Sequence, residues 1–315
     1  MKKFVLKLIL FTLTIIALAY VLQWVIDTGL KKSNYSPEYK EWYDIYKSKI
    51  KADIIIQGSS RSWVHFSPKA LEDEFHLPAY NLGINGQQFP LQKWRFDMYM
   101  RYNKKPRYII QSVDVNFFNN PDISYDFNQF IPYLNSEFEN RFKNHSFFTE
   151  LDFNLPLYKY THTDGAAASG LFNFFNKSPR SNGKYKGFKA YAKNWNANLA
   201  DSFKLKNPNG FRVSFDNTTY TLFNQFIQQC KKQNIELILV YSPVHVSLQN
   251  QIINRDSIKN IFLDLSKNNN IKYLDYSEIP LCSDTAYFYN ANHMNAKGVE
   301  IFNKFLVSDL KKIIK

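Results

Sequence analysis

Only two cysteines, Cys230 and Cys282, occur in 315 residues. That is too few for a disulfide scaffold or a zinc cluster. Cys230 falls on the apolar side of a helical pattern, where a thiol behaves as a small hydrophobe. A bridge to Cys282 is chemically allowed outside the cytoplasm, but nothing in the spacing asks for one. The chain also lacks metal-ligand spacing, a Walker loop and a dinucleotide fingerprint, so no cofactor or metal is expected. No repeat of fixed period and no low-complexity tract is present. Acidic residues are scarce: 27 Asp and Glu stand against 40 Lys and Arg, a formal charge of +13. The basic excess is spread along the chain rather than gathered into one stripe, which argues against nucleic acid as a partner. It fits an anionic lipid or an acidic glycan, or simply a solvated Lys-rich surface.

What the chain does have is apolar and aromatic substance, 45% and 17% of its residues, enough for a sizeable core. Residues 8–26, LILFTLTIIALAYVLQWVI, carry no charge and are long enough to cross a bilayer as one helix. Lys2, Lys3 and Lys7 precede this run and favour a cytoplasmic N-terminus. A cleaved signal peptide would have a shorter apolar run followed by small residues; here the run continues into Gln23, Trp24 and Asp27. The expected organisation is a cytoplasmic tail (1–7), an uncleaved signal anchor (8–26), a stalk or connecting helix (27–50) and an extracytoplasmic domain (51–315).

Within that domain, apolar runs at Asp53–Gln57, Ala79–Gly83, Arg107–Val115, Ile235–Tyr241 and Ile271–Asp275 read as parallel strands covered on both faces. Helical patterns lie between them. Ser67-Pro68 caps one that runs to Phe75; others cover about Leu91–Tyr102, Thr218–Gln233, Ser257–Lys267 and Ala296–Ile314. This alternation predicts an α/β fold, a doubly wound, mostly parallel five-stranded sheet of flavodoxin-like type. Residues 117–216 break the alternation and are too long for a simple loop, so they read as an insertion, helical in part.

Ligands of doubly wound sheets bind beyond the carboxyl ends of the strands. Four polar groups fall there: Gly58-Ser59-Ser60, Gly83, Asn116 and the stretch YNANHMNAKG at 289–298. A weak hydroxyl nucleophile needs a base in reach and donors aimed at a developing oxyanion, and this set supplies both. The alternative for Gly58-Ser59-Ser60 is a tight turn that uses serines for their size. Arg61 would hold that turn through a carboxylate or face an anionic substrate. His245, just past the fourth strand, is a candidate cleft residue; His65, His76, His145 and His162 read as surface or satisfied core histidines.

On these motifs the chain resembles the SGNH (GDSL-type) hydrolases, in the membrane-anchored branch acting on cell-surface polymers, which includes the teichoic-acid D-alanyl transfer protein and the alginate and peptidoglycan O-acetylation proteins. The resemblance implies Ser60 as nucleophile, His293 as base, and an oxyanion hole from the N–H groups of Ser60 and Gly83 (in NLGINGQ) with Asn116 (in VDVNFF). Asp114 is the other candidate for that third block and, with Arg61 and His245, a candidate substrate-binding residue. It implies further an esterase or acyltransferase working on acyl esters of a cell-surface polysaccharide, with a membrane-bound O-acyltransferase as acyl donor. One departure stands out: the family's Asp, three residues before the His, is Asn290 here. An amide could present its NH₂ to the ring and favour the wrong tautomer, unless Asp284 or a carbonyl orients the imidazole instead. A catalytically degenerate scaffold that binds glycan or organises an O-acylation assembly is therefore the second expectation.

Overall fold

The computed structural model describes residues 1–33, 36, 38–119, 127–134, 138, 148–176 and 183–315. His145 and parts of the 117–216 segment lie outside these residues. In chain order the elements used below are helix α1 (Lys2–Leu30), strand β1 (Ile54–Gln57), helices α2 (Ser60–His65) and α3 (Pro68–Phe75), β2 (Ala79–Asn81) and α4 (Phe89–Tyr102). After β3 (Tyr108–Val113) come α5 (Glu150–Asn154), α6 (Ala166–Phe175), α7 (Asn217–Lys232) and β4 (Glu236–Tyr241). The chain closes with α8 (Arg255–Asn269), β5 (Lys272–Asp275), β6 (Phe288–Asn290), β7 (His293–Met294) and α9 (Ala296–Leu310). Two compact units result: Met1–Tyr43 with Ile123–Asn182, and Asp44–Asp122 with Gly183–Lys315.

The larger unit is built on a five-stranded sheet in the order β2-β1-β3-β4-β5, with every pairing parallel. This is the expected α/β fold. β1 can sit inside because Ile54, Ile55 and Ile56 are fully buried, Ile54 and Ile56 in the core layer that α9 covers. Alternate residues Ile54, Ile56, Ile110, Ile238 and Val240 join Phe302 and Leu306 of α9 in one core layer. The opposite layer is aromatic: Phe89 lies 4.9 Å from Phe223 and Phe117 lies 5.5 Å from Phe262, ring centre to ring centre. Burying a side chain of this size contributes roughly 1.5–3 kcal/mol, which sets the strand register firmly.

Strand order reverses between β1 and β3, so their carboxyl ends flank the crevice where such sheets receive ligands. β2 and β3 are shorter than the apolar runs suggested. Asp114, just past β3, lines that crevice, and β6–β7, an antiparallel hairpin absent from the sequence reading, delivers His293 beside it. Within the chain region expected to be an insertion, residues 183–216 belong to the larger unit, where Lys186 O accepts the Asn81 N–H along β2.

In the smaller unit, α1 is the one helix among the described residues long and apolar enough to cross a membrane, and its apolar window is unburied. Trp42 packs edge-on against Phe130 and donates its indole N–H to Gln129 Oε1 at 3.1 Å. Cys230 and Cys282 are both free and buried.

Candidate active site

Gly58 ends β1 with φ +152°, and a Cβ there would fall 2.7 Å from Ser112 Cβ and 2.8 Å from Ser62 Cβ. Only glycine lets the chain turn this tightly, and the turn sets Ser60 as the first residue of α2. From there Ser60 Oγ reaches His293 Nε2 at 2.9 Å, across 233 residues of sequence. On the other side of the ring, His293 Nδ1 lies 3.1 Å from Asn290 Oδ1.

The orientation of the Asn290 amide is decided by its neighbours. Its oxygen also faces the backbone N–H groups of Asn292 (3.0 Å) and His293 (2.9 Å). A backbone N–H can only donate, so the atom they meet must be the carbonyl oxygen, not the NH₂. The ring therefore carries its proton on Nδ1 and offers the Nε2 lone pair to Ser60. The feared wrong tautomer does not arise, and Asp284 plays no part in the orientation; its carboxylate caps Ala286 at 2.8 Å. What Asn290 cannot supply is charge. Burial, together with the positive charge of Arg61, pushes the His293 pKa down to about 3.

A second histidine braces this arrangement. His65, fully buried at the end of α2, accepts the Met294 N–H on Nε2 at 3.0 Å and so must donate from Nδ1 to Ser242 Oγ at 2.9 Å. Its burial, with His293 nearby, holds it neutral, its pKa well below the usual value. His65 thus ties the helix that begins at Ser60 to the strand that carries His293. It is a satisfied core histidine, and no signal in the sequence pointed to this link.

The cleft beside Ser60, about 130 Å³, is lined by Ser59, Ser60, Arg61, Gly86, Gln87, Asp114, Asn116 and Asn292 among others. Ser60 as the first helical residue has a free N–H, and Gly86 (φ +67°) makes no backbone hydrogen bond. Asn116 is exposed, and its Oδ1 accepts from Asn119 Nδ2 at 3.0 Å, leaving its own NH₂ unpaired.

Gly83 departs from expectation. Its N–H donates to Asn81 Oδ1 at 2.8 Å and is buried, so it is not available to an oxyanion. Glycine is needed there for space: a Cβ would lie 2.5 Å from Trp63 N. Gly86, three residues on in the same NLGINGQ stretch, is the glycine that lines the cleft.

Arg61 and Asp114 reach the cleft wall but are engaged with each other. Arg61 Nη2 meets Asp114 Oδ2 at 3.0 Å, both side chains buried, and the guanidinium lies over the Tyr241 ring. Asp114 also accepts from Ser59 Oγ (3.1 Å) and the Asn116 N–H (2.8 Å). The pair pins the β1 turn to the end of β3, the first of the two roles expected for Arg61, while both side chains remain part of the cleft wall. His245 departs from its expected place in the cleft. Its ring packs 4.5 Å from Trp195 and 5.5 Å from Phe288, its Nδ1 accepts the Ser247 N–H, and it does not line this cleft. His76 is exposed in the αL cap of α3, and His162 meets Asp152 at 3.1 Å.

Tyr289 stacks flat on His293 at 5.4 Å, and Tyr191 meets Tyr289 edge-on at 5.8 Å. Lys193 lies over both tyrosine rings. A basic, aromatic wall therefore flanks the catalytic candidates.

A scan of family models and a search of curated proteins each found no match. Solved structures with similarity include a provisionally described acylhydrolase from Bacteroides fragilis, 11% identical over 87% of this chain and 97% of that one, TM-score 0.43. Another is a GDSL-like lipase from Bacteroides thetaiotaomicron, 11% identical over 88% and 98%, TM-score 0.39. A provisionally described lipolytic protein of the G-D-S-L family from Desulfitobacterium hafniense is 12% identical over 81% and 98%, TM-score 0.40.

Proposed function

We propose that this chain is a membrane-anchored serine esterase or O-acyltransferase of the SGNH type, acting outside the cytoplasm on acyl esters of a cell-surface polysaccharide. The observation that carries the reading is the 2.9 Å contact of Ser60 Oγ with the unprotonated nitrogen of His293, whose tautomer Asn290 fixes. Ser60 Oγ attacks the ester carbonyl carbon while His293 Nε2 takes the hydroxyl proton. The N–H groups of Ser60 and Gly86, with the Asn116 amide, receive the oxyanion. Collapse breaks the bond to the sugar oxygen, which leaves with the proton from His293, and the acyl group stays on Ser60. Water or an acceptor hydroxyl then reverses the sequence through the same base. The small cleft suits a short acyl group such as acetyl, and the tyrosine–lysine wall suits stacking and polar contact with a glycan chain, with a membrane-bound O-acyltransferase as the upstream donor.

The neutral residue at 290 favours a second reading, a binding scaffold with a vestigial site, because no carboxylate offsets the charge of an imidazolium. Reaction of the full-length chain with a fluorophosphonate probe separates the two. Labelling that disappears in Ser60→Ala supports the enzyme; absence of labelling under conditions that label an active serine esterase supports the scaffold.

A further inference from the structure

We infer that the smaller unit is a lipid-seated foot: α5 and α6 lie in the outer leaflet beside α1, so the chain is held by an embedded platform and not by a single tether. The inference rests on the proposed reading of residues 8–26 as a membrane span.

Depth is the first argument. Tyr20 OH donates to Asn154 O at 3.3 Å, and Gln23 Oε1 accepts the Leu157 N–H at 2.7 Å. Tyr20 precedes Ile26, the last residue of the charge-free run, by six residues, which is about 9 Å of helix. The end of α5 is therefore docked below the outer limit of the apolar run. α6 crosses α1 slightly farther out, so closely that a Cβ on Gly29 would fall 1.8 Å from Gly170 O. Trp24 meets Phe174 edge-on at 5.7 Å.

Surface chemistry is the second. Leu151 of α5 and Leu155, the residue that follows it, are 48% and 49% exposed, and Phe172 and Phe175 of α6 are 62% and 78% exposed. The apolar side chains of α1 are exposed as well, Trp24 by 62% and Leu18 by 63%. Water would meet all of them at a cost; lipid would not. Irregular backbone at membrane depth is tolerated only when its polar groups are satisfied. Here the polar side chains of the span do that work: Tyr20 and Gln23 serve the turn after α5. Just beyond the run, Asp27 is neutralised by Lys159 at 2.9 Å and bonded by Tyr160 at 2.6 Å. Lys32 lies over Phe174, its ammonium placed to reach lipid phosphates while its stem covers apolar surface.

The test uses the full-length chain in nanodiscs of phosphatidylethanolamine and phosphatidylglycerol, with an environment-sensitive thiol dye at Phe172→Cys, Leu155→Cys or Ile16→Cys. The native thiols, buried with pKa values pushed up to about 12 for Cys230 and about 11 for Cys282, leave the introduced one as the reactive site. Dyes at 172 and 155 are expected to be quenched by lipids labelled about 5–10 Å below the headgroups and shielded from aqueous iodide, with deep-labelled lipid quenching the dye at 16. If the dye at 16 is quenched by lipid while those at 172 and 155 are open to iodide and untouched by lipid, the span stands and the foot is overturned; the apolar face then awaits a protein partner. If the dye at 16 is also untouched by lipid, the span falls and the foot with it.

Discussion

Asn290 Oδ1 stands 3.1 Å from His293 Nδ1 while it accepts the backbone N–H groups of Asn292 and His293. Three donors converge on one oxygen, so an uncharged residue performs the orienting half of a carboxylate's task. The electrostatic half is left undone, and this division yields the sharpest test of the site.

Asn290→Asp keeps the shape and adds the missing charge opposite the imidazolium. Ester turnover is expected to rise at least about tenfold, equivalent to about 1.4 kcal/mol of barrier, with KM little changed because the gain lies in the transition state. Asn290→Ala should lower turnover, since the ring loses its tautomer lock. Steady-state kinetics on a simple acetyl ester measures both; an unchanged or lower rate in Asn290→Asp, with Ser60 required for the residual activity, would show that another group supplies the charge.

The pH profile follows from the same environment. In the proposed mechanism His293 works as the free base, and its pKa is depressed from 6.5 to about 3, so protonation that would stop an ordinary imidazole is postponed. kcat/KM should stay level as pH falls through 6.5 and decline only at much lower pH. A carboxylate favours the protonated ring, so Asn290→Asp should move the acid limb upward. An acid limb near 6.5 in the natural chain would contradict the environment described for His293.

His65 acts through the main chain next to His293. His65→Phe leaves the Met294 N–H unpaired in a buried site, at about 1–3 kcal/mol of stability. Loss of the brace between α2 and β7 should also lower kcat by about tenfold with KM retained, an estimate for slight misplacement of the base. Thermal unfolding together with fluorophosphonate labelling rates of the folded fraction distinguishes this from simple destabilisation: a folded fraction that reacts at the natural rate would limit His65 to a core role.

Asn116 offers the side-chain donor of the proposed oxyanion hole from an exposed position, so its removal should spare folding. Asn116→Ala should reduce kcat by up to about a hundredfold, the scale of one lost oxyanion donor. Gly83→Ala, by contrast, should act on stability, because its Cβ would press on Trp63 N at 2.5 Å. Equal losses of kcat in both variants at normal stability would return Gly83 to the oxyanion role.

Local pattern was enough to read the parallel sheet, its strand–helix alternation and the charge-free N-terminal helix, because burial on both faces of a strand, or along one long helix, writes continuous apolar runs into the chain. Ser60 and Asn116 could be singled out for a related reason: polar residues directly after buried strands lie at the sheet's carboxyl edge, whereas His293 stood out through the resemblance of its NANH stretch to a family motif. What local pattern could not carry is the hydrogen-bond accounting among groups far apart in sequence. Whether Gly83 or Gly86 keeps a free N–H depends on where the Asn81 side chain points. Whether Arg61 meets a substrate or Asp114 depends on β1 and β3 lying side by side. Which end of the Asn290 amide faces His293 is set by two N–H groups that converge only when the β6–β7 turn closes. The brace from His65 to Met294 spans 229 residues and exists only in the folded chain, where each buried donor must find an acceptor.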